Sequence, residues 1–134
     1  FALATEAMRL LKPGGRFILA DAFLKRPLTE REAAAGHGWL HGQPLEELHD
    51  IEEMVKHLRS AGFRDVRFED VSPNIYPCSR SLYWTGVRSL PAARVLELAG
   101  KRTVQQTMHL QAALEQHRTL KKGLWGYFLF SARK

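Results

Sequence analysis

Apolar residues in the first eleven positions fall on one helical face. Leu3, Ala4, Ala7, Met8 and Leu11 lie together, with Glu6 and Arg9 turned away. Pro13 cannot continue such a helix, and Gly14 and Gly15 allow the positive φ of a tight reversal. A continuous apolar run follows, Phe17 to Ala20 within Arg16 to Asp21. Being continuous rather than alternating, it predicts a strand covered on both faces, as in a parallel sheet. The pattern then breaks up over residues 22–49, which hold Pro27, Pro44, Gly36, Gly38 and Gly42. A loop region with short helical pieces is expected there, the best being Leu28 to Ala35 with Thr29 as cap.

Helical spacing returns at Ile51, Met54, Val55 and Leu58. Asp50 and Glu53 suggest a capping box at its start, and Gly62 a stop. Phe63 to Val71 alternates as a strand, with Val66 and Phe68 on one face and Arg67 and Glu69 on the other. Ser72, Pro73, Asn74 and Pro77 predict a loop. Helices are expected over 78–90 and 92–99, separated by Pro91, and over Thr103 to Lys122, ended by Gly123. Tyr127 to Ala132 reads as a buried closing strand. Strands alternating with helices predict an α/β sheet with helices on its faces.

Composition adds bounds. The chain has 134 residues, 45% of them hydrophobic and 25% charged, which suits one globular domain. Its lone cysteine, Cys78, excludes a disulfide framework and points to a reducing, cytoplasmic setting. No apolar run approaches the ~20 residues of a membrane span. Residue 1 is Phe, and the first helix starts without a capping side chain, so a cut within a longer protein is expected. The net charge of +6 is uneven: residues 1–70 carry −2 and residues 71–134 carry +8. Such a half would attract nucleic acid or an anionic surface. Its basic residues are dispersed, however, and no nucleic-acid motif accompanies them.

Several residues are candidates for chemistry. Asp21 ends a predicted strand, where open α/β sheets bind ligands. It could serve as a general base, or it could only hydrogen-bond the following turn. His37 and His41 are four apart, with His49 nearby, but the intervening glycines and the missing third ligand argue for a solvated loop over a metal site. Cys78 lacks a His–Asn signature, so it is expected to pack as a small apolar residue. Tyr76, Tyr83 and Trp84 lie near it in sequence and could line a pocket or pack in a core. There is no G-x-G-x-x-G, no phosphate-binding loop and no nucleophile elbow.

Three segments resemble a known family. Glu6-Ala-Met-Arg-Leu-Leu-Lys-Pro-Gly-Gly-Arg-Phe-Ile-Leu-Ala-Asp21 resembles the helix, Pro-Gly-Gly turn and fifth strand of class I S-adenosylmethionine-dependent methyltransferases. Leu58 to Asp70 resembles that family's last sheet helix and sixth strand, and Gly126 to Lys134 its closing antiparallel strand. The likeness is greatest to small-molecule enzymes of the quinone, sterol, tocopherol and natural-product-sugar kind. It implies the C-terminal part of a Rossmann-like sheet: three strands, the last antiparallel and central, with a helical insertion before it.

The resemblance also implies roles. Residues 75–122 would cover the acceptor pocket, with Phe23, Trp39, Tyr76, Tyr83 and Trp84 lining it, core packing being the alternative for each. Asp21 matches a proposed acid/base aspartate of some sugar O-methyltransferases. S-adenosylmethionine would be bound mainly by a missing N-terminal half, so the isolated chain is expected not to bind it. The partner is expected to be a small-molecule acceptor and not nucleic acid, and the open sheet edge predicts self-association. A basic nucleic-acid or anionic-surface module and a non-catalytic interaction half-domain are the alternatives.

Overall fold

The computed structural model describes residues 2–35 and 48–134. They divide into two compact units. One takes in Phe1–Pro27, His49–Ser72 and Trp125–Lys134, the other Leu28–Leu48 and Pro73–Leu124.

In the first unit, helix α1 (Ala2–Leu10) leads through the Gly14 turn, at φ +75°, into β1 (Arg16–Leu24). Helix α3 (Ile51–Ser60) leads through Gly62, at φ +99°, into β2 (Arg64–Asp70). The chain closes with β3 (Trp125–Arg133). The sheet order is β1-β3-β2, and β3 runs antiparallel to both neighbours. That is the strand order implied by the resemblance. The register places Phe17 opposite Ala132 and Leu19 opposite Phe130, and on the other side Phe68 opposite Phe130. A bulge between Arg64 and Arg67 accompanies Asp65 at φ +51°.

Alternation in β3 explains the core. Phe128, Phe130 and Ala132 are buried with Phe17, Phe23, Leu58 and Phe63, while Leu129 between them is exposed. Phe23 and Phe130 stack 4.8 Å apart, and Phe17 and Phe63 5.3 Å apart. The expectation of a strand covered on both faces is corrected here. Ile18 is 60% exposed, so the apolar run of β1 packs on one face only among the described residues. A continuous run shows that a strand tolerates two covered faces, not that both are covered. Lys134 ties the ends of the unit together: its Nζ donates to the carbonyls of Leu11, at 2.7 Å, and Met8, where α1 leaves carbonyls without intrahelical partners.

In the second unit, the short helix α2 (Glu30–Ala35) follows Thr29, whose Oγ1 accepts from the Glu32 N–H while Glu32 accepts from the Thr29 N–H. Helix α4 (Ser72–Leu98) and helix α5 (Val104–Lys121) make up most of the rest. The predicted loop at 72–77 and the break at Pro91 are both corrected: α4 is continuous through Pro77 and Pro91. Proline's fixed φ is already a helical value, and its missing N–H loses one bond without closing the path of the chain. Gly86 fixes the approach of α5. A Cβ there would meet Leu114 Cδ2 at 3.1 Å, so the absent side chain lets the two helices come close. Among the described residues no helix is long and apolar enough to cross a membrane.

Candidate functional site

Asp21 lies three residues inside β1 rather than at its end, because Ala22, Phe23 and Leu24 go on pairing with Tyr127, Gly126 and Trp125. Its carboxylate is exposed, and Oδ1 accepts from the Ala22 N–H at 2.8 Å. One oxygen is thus held by the backbone. Phe23 is 4% exposed and packs against Phe128 and Phe130, the core arrangement that sequence left as its alternative.

Where β1 ends, a polar cluster forms that periodicity does not reveal. Lys25 Nζ donates to Asp70 Oδ2 at 2.6 Å, and Asp70 Oδ1 accepts from the Ser72 N–H at 2.9 Å. Ser72 Oγ in turn accepts from the Tyr127 N–H at 2.9 Å. Gly126 leaves room for this cluster, since a Cβ there would meet Ser72 Oγ at 2.5 Å. Partial burial would raise the Asp70 carboxyl, but the Lys25 and Ser72 hydrogen bonds outweigh it and hold the group below the ordinary carboxylate range.

The second unit gathers its chemistry around His117 of α5. The imidazole is 6% exposed, and its Nδ1 lies 3.1 Å from Ser79 Oγ of α4. The rings of Tyr76 and Tyr83 lie 5.2 and 5.1 Å from it, and Trp84 stands edge-on to Tyr83 at 5.4 Å. Burial, and then the charges of Lys121 and Arg80, push the His117 pKa below its ordinary value. Arg118 lies over the Tyr83 ring and pairs with Glu115 at 2.6 Å. The aromatic group and His117 border a cavity of about 450 Å³, with Arg80, Arg118 and Lys121 on its walls.

The fold therefore brings Tyr76, Tyr83 and Trp84 together, but around His117 rather than Cys78. Cys78 is exposed, which corrects its expected burial as a small apolar residue. The Asp50–Glu53 capping box is likewise corrected. Asp50 accepts from Glu52, while Glu53 lies within 3.8 Å of His57 and 3.6 Å of His49. Trp39, His37 and His41 lie outside the described residues. Among the described residues no three His, Cys, Asp or Glu side chains form a group that could hold a metal. Sequence reasoning missed the Ser79–His117 pair because 38 residues separate its members. The available signal was a histidine between Leu114 and Leu120 on the inner face of α5.

A phosphate cradle needs free backbone N–H groups where a strand leads into a helix. The Gly14–Gly15 turn does not supply one. Gly14 and Gly15 join a helix to a strand, and their backbone groups are engaged: Gly14 N–H donates to Lys134 O at 3.3 Å, and Gly15 O accepts from Lys134 N–H at 2.9 Å.

No family model matches the chain, and no curated protein matches it in sequence. Solved structures do match. Cyclopropane synthase MmaA2 from Mycobacterium tuberculosis aligns over 99% of this chain and 49% of its own, at 16% identity and a TM-score of 0.71. Mycolic acid cyclopropane synthase CmaA1, complexed with S-adenosylhomocysteine, aligns over the same shares at 17% identity and 0.74. Phosphoethanolamine N-methyltransferase 2 from Haemonchus contortus, in complex with S-adenosylmethionine, aligns over 98% of this chain and 29% of its own, at 16% identity and 0.64. The chain thus spans less than half the length of each structure named. Matched over nearly its whole length by these structures, the chain has the fold of the C-terminal part of the S-adenosylmethionine-dependent methyltransferases.

Proposed function

We propose that this chain is the acceptor-side part of an S-adenosylmethionine-dependent methyltransferase that acts on a small molecule. The observation that carries this reading is the β1-β3-β2 sheet with its preceding helical insertion, matched over nearly the whole chain by methyltransferase structures. Two of those structures hold S-adenosylmethionine or its demethylated product, which supports the same donor here. The cofactor is held mainly by residues outside these 134, in keeping with the engaged Gly14–Gly15 turn and the share of each neighbour that is matched.

In this reading the chain's own residues bind and prepare the acceptor. Tyr76, Tyr83 and Trp84, together on α4, supply apolar ring faces for it. In the sheet unit, Asp21 is the carboxylate able to accept a proton from a hydroxyl or amine. One of its oxygens is steadied by the Ala22 N–H and the other is left for the substrate. Methyl transfer by the protein from its complete reading frame, followed with labelled S-adenosylmethionine and a panel of small hydroxyl and amine acceptors, tests the proposal. Asp21→Asn is expected to lower turnover by about 10²-fold or more while leaving S-adenosylhomocysteine affinity unchanged. Unchanged turnover would remove Asp21 from the mechanism, and no transfer to any acceptor would count against the function.

A further inference from the structure

Two neighbouring cavities open on the helical unit. The first, of about 450 Å³, has the rings of Tyr76, Tyr83 and Trp84 and the edge of His117 on its walls. The second, of about 420 Å³, lies along α4 beside Pro77, Ser81 and Arg88. Arg80 and Trp84 line both. Either volume is of the size that takes a small organic molecule.

The charge of these walls is one-sided. Arg80 and Arg88 enter from α4, and Arg118 and Lys121 from α5; among the described residues no acidic side chain lines either cavity. Glu115, the acid beside them on α5, is taken up by Arg118 at 2.6 Å. Arg80 and Lys121 form no ion pair among the described residues, yet they face the same cavity. Cations gathered on a concave wall without counter-charges repel one another, and an anion between them relieves the repulsion. Arginine offers a planar fork of donors and lysine a point charge, the pair of donors that phosphate groups accept from. His117 lines the same cavity, with its Nδ1 3.1 Å from Ser79 Oγ. In the tautomer in which Ser79 donates to Nδ1, Nε2–H is a further donor. Burial first, and then the charges of Lys121 and Arg80, disfavour a further positive charge on His117.

We propose that this cavity binds a phosphate monoester of a small molecule, with the phosphate between Arg80 and Lys121 and the organic part against Tyr83 and Trp84. Three of its wall residues are those placed above in the acceptor pocket, so the inference deepens that reading by naming the substrate class. Binding needs no methyl donor, so its failure leaves methyl transfer standing, and a failed transfer assay leaves this site standing.

Titration calorimetry of the protein from its complete reading frame at low ionic strength, with phenyl phosphate, inorganic phosphate and phenol as separate probes, tests the proposal. Phenyl phosphate is expected to bind saturably and more tightly than either of its halves. Arg80→Gln with Lys121→Gln is expected to weaken it by about tenfold or more, whereas Lys122→Gln, outside the cavity, leaves it unchanged. Because all three substituted residues are exposed, the folded state is expected to persist. Should circular dichroism show the double variant unfolded, Lys121→Gln alone, at the end of α5, carries the same comparison. Absence of saturable binding, equal affinity of the wild type and the cavity variants, or an equal loss in Lys122→Gln would overturn the site. Phenyl phosphate binding no tighter than inorganic phosphate would overturn the role of the aromatic wall.

Discussion

Thr107 is fully buried in α5, and its Oγ1 has no hydrogen-bond partner among the described residues. A buried hydroxyl without a partner carries a desolvation penalty that an isosteric methyl does not. Thr107→Val is therefore expected to raise stability by about 1 kcal/mol, read as a higher urea midpoint at an unchanged slope. A lower midpoint would show that the hydroxyl has a partner after all.

His117 sets a pH dependence at the same scale. Its folded pKa lies below the ordinary 6.5, so between the two values the unfolded chain binds more protons. Stability from this group is complete above 6.5 and is lost as pH falls through the folded value. The groups facing it are Arg80, Ser79, Tyr76 and Tyr83 from α4 and Lys121 from α5. Urea midpoints of wild type and His117→Gln should diverge as pH falls below the ordinary imidazole value of 6.5, the wild type falling more steeply. Parallel profiles would show that His117 is not the titrating group. Neither residue's importance was visible in the sequence. Thr107 and His117 sit at inward positions of a helix whose apolar periodicity is weak, and only tertiary packing makes them costly or useful.

Elements differ in how openly they are encoded. Those bounded by capping chemistry could be read from the sequence. Asp50, Thr103, Gly62 and Gly123 mark the ends of α3 and α5 in both sequence and structure. At Thr103 the side chain accepts from the Gln106 N–H at 3.2 Å, and the Gln106 side chain accepts from the Thr103 N–H at 3.1 Å. Thr103→Ala is expected to destabilise the chain by about 1 kcal/mol. Amide exchange should quicken first in the opening turn of α5, and unchanged protection there would contradict the role of the cap. The elements that misled were those where a local rule met tertiary packing. Pro77 and Pro91 signal breaks by themselves, yet α4 runs through both while Gly86 lets it lie close against Leu114. β1 was expected to end at Asp21, but pairing with β3 carries it on to Leu24. Long-range partners decide such ends, and no window of sequence contains them.

At the scale of the molecule, the strand order followed from a likeness to whole sheets, because periodicity alone does not say which strand lies in the middle. The placement of β3 between β1 and β2 is the feature on which the functional reading rests. In the proposed function the chain is the acceptor side of a methyltransferase whose cofactor side lies elsewhere. Calorimetric titration of S-adenosylhomocysteine into the protein from the complete reading frame tests that claim most directly. Binding at micromolar affinity or tighter is the predicted result, and no detectable binding at millimolar ligand would contradict the account.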